Sequence, residues 1–130
     1  MNIGLWLQQQ AIHYPDRPAL YRGTELVADY GAFHDQALTL AGALREIGVK
    51  PGDRVALFLE NCPDYLIILY GIWYAGAVAV PINAKLHARE AAFILEQSGT
   101  ALIFASEPLA VALLLLGQRL LVQREEPSAR

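Results

Sequence analysis

This chain is poor in the residues that build reactive or charged surfaces. Only 18% of its 130 residues are charged, and Ser and Thr number three each. Its single cysteine, Cys62, excludes an intramolecular disulfide and fits a reducing compartment. His13, His34 and His87 lie far apart, with no i,i+4 pair and no H-x-E spacing, so no metal centre is expected. Ten Lys and Arg against thirteen Asp and Glu leave a net charge of −3 without a basic stripe, which argues against a nucleic-acid-binding face. The opening MNIGLWLQQQ lacks the basic n-region and small-residue cleavage site of a secretory signal, so the cytoplasm is the expected compartment.

Long hydrophobic runs are also scarce. Tyr65 to Ile82, 18 residues, contains no charged residue, the lower end of the length that spans a bilayer. Gly71, Gly76 and Pro81 interrupt it, and no Lys or Arg cluster flanks it to set an orientation. A buried strand–helix–strand unit is the better reading, and no membrane span is expected.

What the chain does have is apolar surface. Hydrophobic residues make up 55%, above the ~45–50% of an ordinary soluble domain. The excess implies a face to be covered by something else. At 130 residues, one compact domain or part of one is expected.

The organising stretch runs from Gly48 to Pro81, GVKPGDRVALFLENCPDYLIILYGIWYAGAVAVP. Val49 to Asp53 is dense in turn formers. Arg54 to Glu60, RVALFLE, reads as a strand covered on both faces. Asn61 is the expected cap of the following helix, and Pro63 sits in its first turn, where a missing N–H does no harm. Tyr65, Ile68, Leu69, Ile72 and Trp73 form the expected buried face. Gly76 stops the helix, and Ala77 to Val80 is a second apolar strand closed by Pro81.

Around this unit, Asn2 is placed to cap a first helix through Tyr14, with Ile3, Trp6, Leu7 and Ile12 on one side. Ala19–Tyr21 and Leu26–Ala28 flank Arg22-Gly23-Thr24-Glu25 as a hairpin. Asp29 caps a helix from Tyr30 to Ile47 that buries Phe33, Ala37, Leu40, Ala41, Leu44 and Ile47. Beyond Pro81 come a loop from Ile82 to Leu86, a helix from Ala88 to Ser98 stopped by Gly99, and a strand from Ala101 to Ala105. A helix from Pro108 to Leu116, a stop at Gly117 and a strand at Leu120–Val122 complete the alternation. That alternation predicts an α/β fold, a mostly parallel sheet with helices on both faces, preceded by a helix and a β-hairpin.

Few motifs carry chemistry. Gly71 and Gly76 have the G-x-x-x-x-G spacing of a phosphate loop, but Ala77-Val78 stands where Lys-Ser/Thr is needed, so helix packing and a stop signal are the better reading. Cys62 stands near a helix start, but no His or Asp near it in sequence suggests a catalytic partner, which favours a structural role. Asp16, Asp53 and Asp64 sit beside Pro or Gly and read as turn or helix-start residues. Glu90 and Glu96, six residues apart, do not form an acid/base pair; Glu90 reads as a capping residue.

Three blocks in order, GVKPGDRVALFLENCPDY, YAGAVAVPINAKL, and Glu90 followed by FILEQSG, resemble the N-terminal region of the AMP-forming acyl-CoA ligases, within the superfamily of adenylate-forming enzymes. The resemblance runs from about Leu5 to Phe104. It implies that residues 1–124 are part of the large N-terminal domain of an adenylate-forming enzyme, with 125–130 a polar tail. It further implies an intact enzyme that activates a carboxylate with ATP and Mg²⁺, releases pyrophosphate and passes the acyl group to CoA. Pro81 and Asn83 match the family's Pro-x-Asn. In some members this loop approaches the CoA entrance, which makes Asn83 and Lys85 candidate binding residues; a solvated strand-to-helix loop is what the residues alone favour. Where members place Ser or Thr as the cap three residues before Glu90, this chain has His87, a weaker cap by about 1 kcal/mol.

The family's other motifs are absent: the Ser/Thr/Gly-rich loop ending in Pro-Lys-Gly, the aromatic-Gly-x-Thr-Glu motif, the ribose-binding Asp and the C-terminal Lys. No catalytic residue and no nucleotide site is therefore expected within these 130 residues. Two readings stand. The chain is the scaffold segment of a ligase whose apolar surface docks on the remainder. Alternatively, it is a stand-alone shortened derivative acting by binding or self-association.

Overall fold

The computed structural model describes residues 2–114 and 121–123. It divides into two compact units, Met1–Asp53 with Asn61–Val78, and Arg54–Glu60 with Ala79–Arg130.

The first unit is built on helices. It holds α1 (Leu5–His13), β1 (Pro18–Arg22), β2 (Glu25–Asp29), α2 (Tyr30–Glu46) and α3 (Pro63–Tyr74). β1 and β2 pair as an antiparallel hairpin around Gly23-Thr24, as the turn chemistry predicts. Asp29 caps α2 as expected, its Oδ1 accepting from Ala32 N at 2.8 Å. Leu7, Leu20, Ala28, Phe33, Ala37 and Ile67 form the core, with Tyr30, Tyr70 and Tyr74 packed on it. α2 and α3 approach closely because Gly71 has no side chain: a Cβ there would stand 2.7 Å from Leu40 Cδ2. That is the packing role expected for this glycine.

Both long helices of this unit end in the same bond pattern. After α2, Gly48 N donates to Arg45 O and Val49 N to Leu44 O; after α3, Gly76 N donates to Trp73 O and Ala77 N to Ile72 O. Gly48 and Gly76 stand at φ 99° and 78°, where a side chain would be strained. Such a turn brings the second residue past the cap back onto the helix, so Val49 and Leu44 are both buried. Ile47, expected in the core, is 58% exposed instead, because α2 ends at Glu46 and the helical phase no longer aims its side chain inward.

Other expectations are corrected. In α1 only Leu7 is buried, whereas Ile3, Trp6 and Ile12 are all more than half exposed. Ile3 precedes the helix, and nine residues offer too few turns to bury a full stripe. The cap position of α1 is Gly4, not Asn2, although Asn2 Oδ1 still accepts from Gly4 N at 2.7 Å. The cap position of α3 falls one residue later than expected: Cys62 occupies it, without a side-chain bond, and Asn61 lies outside. Its buried residues are Pro63, Ile67, Ile68, Gly71 and Ile72, while Tyr65, Leu69 and Trp73 are half-buried. Leu66 to Tyr74 carries no charge on any side, so periodicity could not select the face.

The second unit carries the sheet. β3 (Arg54–Phe58), β4 (Val78–Pro81), β5 (Leu102–Ser106) and β6 (Leu121–Gln123) lie in the order β4-β3-β5-β6. β3 pairs with β5 and β5 with β6, both in parallel. Helices α4 (Ala88–Ser98) and α5 (Glu107–Leu114) flank it. This is the α/β architecture expected. Val55 to Phe58 are fully buried, as a continuous apolar strand requires. Ala56, Phe58, Ile82, Ala91, Leu95, Ile103, Ala105, Ala110 and Leu113 make its core. β4 is the exception to the expected apolar strand, since no residue in it is fully buried. It stands at the end of the strand order, where Pro81 is tolerated. The expected stop at Gly117 and the polar tail at 125–130 lie outside the described residues.

Candidate functional site

The candidate binding residues lie on the loop that carries the chain from β4 to α4. Ile82 roots it: buried, its N–H donates to Leu57 O at 2.8 Å. Asn83 then folds the chain back on itself. Its Oδ1 accepts from Lys85 N at 2.9 Å and its carbonyl accepts from Leu86 N at 3.0 Å, a turn fastened by both side chain and backbone. Leu86 packs on the core of the second unit. Asn83 and Lys85 are exposed, and the Lys85 ammonium makes no hydrogen bond or ion pair with a described residue.

His87 follows at the cap of α4, where its Nδ1 accepts from Arg89 N at 3.2 Å. That long contact fits the weaker cap expected there. Glu90 stands exposed in the first turn, and no bond returns from it to His87 N. The reciprocal half of the capping box is therefore unformed, and the imidazole ties Arg89 N rather than the third N–H. The loop and the first turn of α4 make a rim along which Lys85, His87 and Arg89 are each exposed. Its chemistry is that of a weak anion contact, a point charge beside a helix start. The rim holds no nucleophile poised beside a base.

The structure keeps the remaining candidates apart. Gly71 is buried in the middle of α3 against Leu40, so its N–H cannot cradle a phosphate with that of Gly76. The Cys62 thiol is free and half-buried. Among the described residues no group of three His, Cys, Asp or Glu is placed to hold a metal ion. No helix among them is long and apolar enough to cross a membrane.

Two polar features were not legible beforehand. His34 Nδ1 and Tyr74 Oη stand 2.8 Å apart, joining residues 40 positions distant. Burial, aided by Tyr70 nearby, pushes the Tyr74 phenol up to about 12. This pair belongs to an aromatic group in which Phe33 meets Tyr70 edge-on at 5.2 Å and Tyr70 meets Trp73 at 5.0 Å. The second feature is Ser106, whose buried Oγ has no hydrogen-bond partner. No local pattern marks either one.

The model of a family described as AMP-binding enzyme matches residues 7–128. By sequence the chain is 37% identical over 110 residues to a long-chain-fatty-acid–CoA ligase, FadD13, of Mycobacterium tuberculosis, a match covering 84% of this chain and 22% of that protein. A crotonobetaine/carnitine–CoA ligase of Salmonella paratyphi A is 35% identical over 97 residues, covering 72% and 19%. By structure the chain superposes on the N-terminal domain of FACL13 from Mycobacterium tuberculosis with a TM-score of 0.83 and 34% identity, over 91% of this chain and 30% of that one. A benzoate CoA ligase from Burkholderia xenovorans matches at a TM-score of 0.85 but 24% identity, a likeness of fold alone. The chain spans about a fifth of the length of the curated relatives it matches.

Proposed function

The chain belongs to the AMP-binding enzyme family, and on that premise we propose that it is the N-terminal scaffold segment of an AMP-forming acid–CoA ligase. The intact enzyme joins a carboxylate to AMP at the expense of ATP, releases pyrophosphate, and transfers the acyl group to the thiol of CoA. Residues 1–124 form the scaffold. The observation that carries this reading is the superposition on the FACL13 N-terminal domain, with 34% identity over 91% of the chain.

The described residues do not fit ATP and Mg²⁺. The described side chains include no clustered carboxylates or histidines to hold a metal ion, and the glycine pair that spacing suggests is buried helix and helix stop. We read the segment as a folded support rather than a source of charge-stabilising groups, inactive alone. Its contact with the reaction is at the Asn83–Lys85 turn, which we place at the CoA entrance, Asn83 holding the turn and Lys85 meeting a phosphate of the thiol substrate. One half-buried thiol fits the same reading in a cytoplasmic setting.

Exposed Trp6, Ile12, Phe93 and Val111 fit a segment docked on the rest of a ligase. They also fit the second reading, a self-associating module without catalysis.

The test is a chimera in which this chain replaces the matching segment of the mycobacterial FadD13 ligase. Acyl-CoA formation by the chimera supports the scaffold reading; a folded chimera without activity overturns it. Within an active chimera, Lys85→Ala raises the KM for CoA and leaves that for ATP unchanged if the turn lies at the CoA entrance. The isolated chain is the counterpart. ATP·Mg at a hundredfold excess over its Kd would raise Tm by roughly 10 °C, and any such rise refutes the absence of a nucleotide site.

A further inference from the structure

We draw no further inference here: the strongest candidate, the unpartnered Ser106 hydroxyl at the carboxyl end of β5 where α5 begins, stands at a helix N-terminus on a residue that keeps part of its own surface exposed, and nothing in the structure points to a ligand there.

Discussion

Two helical glycines predict opposite responses to the same substitution. Gly42 lies in α2 with open space where a Cβ would go, whereas a Cβ on Gly71 meets Leu40 Cδ2 at 2.7 Å, Cγ at 3.0 Å and Cβ at 3.1 Å. Alanine in place of a mid-helix glycine stabilises by about 1 kcal/mol when nothing obstructs it. Gly42→Ala should realise that gain. Gly71→Ala carries the same backbone gain against an overpacking cost of about 1–3 kcal/mol. Turning the Leu40 side chain frees Cδ2 but leaves its Cβ in place, so α2 and α3 must separate slightly. The net is a loss of roughly 1 kcal/mol, or about 4 °C in Tm.

Urea denaturation followed by the fluorescence of Trp6 and Trp73, and in parallel by far-ultraviolet circular dichroism, reads both variants. Coincident transitions are needed before a free energy is assigned. The Leu40→Ala background isolates the contact, since it removes Cγ and Cδ2. There only the 3.1 Å approach to Cβ remains, so Gly71→Ala should cost less than in the parent chain, a coupling of about 0.5–1 kcal/mol. If Gly71→Ala raises the midpoint as much as Gly42→Ala in the parent chain, the helices do not meet at this residue, and its packing role is refuted.

Other variants probe the caps and the aromatic group. Asp29→Ala removes the bond to Ala32 N and should lower stability by about 1 kcal/mol, seen as an earlier urea midpoint; an unchanged midpoint would show that the cap contributes nothing. His87→Ser replaces a 3.2 Å imidazole contact with a better cap and should raise Tm, by about 0.5–1 kcal/mol of stability; a fall would mean that His87 does more than cap. The Tyr74 phenol is raised from 10.0 to about 12, so the native state keeps a proton that the unfolded chain loses in that window. Its contribution is whole below about pH 10 and is lost as pH rises towards 12. Tyr74→Phe should flatten the alkaline fall in stability without abolishing it, because Tyr65 and Tyr70 are raised in the same direction by burial; an identical fall in both proteins refutes the assignment.

What could be read from the sequence and what could not divide along one physical line. The Asp29 cap, the Gly23 turn and the stops at Gly48 and Gly76 depend on residues a few positions apart, so local chemistry specifies them. The buried face of α3, the edge position of β4 and the His34–Tyr74 contact depend on elements that arrive from elsewhere in the chain. α3 is the sharpest case. Apolar on every side, it offers no period from which to choose, and the α2 partner at Leu40 decides. The candidate site fared differently. Asn83 and Lys85 could be singled out only through the family's Pro-x-Asn, and the turn in which they sit has a wholly local origin, with Asn83 closing its own loop.

The same line explains why the family is legible and the chemistry is not. The blocks that carry the resemblance are punctuation. In the Pro-Gly-Asp block, Asp53 Oδ2 accepts from Lys50 N at 2.8 Å, and Gly52 N donates to the carbonyl of Gly76 at 2.9 Å. Gly76 belongs to the second block, where a Cβ would lie 3.5 Å from Pro51. Residues of the two blocks more than twenty positions apart, Gly52 and Gly76, are thus one fastened corner, at the points where the chain enters β3 and leaves α3. Such a corner tolerates little change, since its glycine has positive φ and its turn carboxylate holds a backbone N–H. Residues of this kind identify a framework whatever reaction it supports. A substrate is chosen by side chains lining a cavity, which turn and stop residues do not by themselves specify. The framework reading therefore makes a stringent demand: in the chimera, substitutions at Gly52 or Gly76 should impair folding before they alter the KM for any substrate.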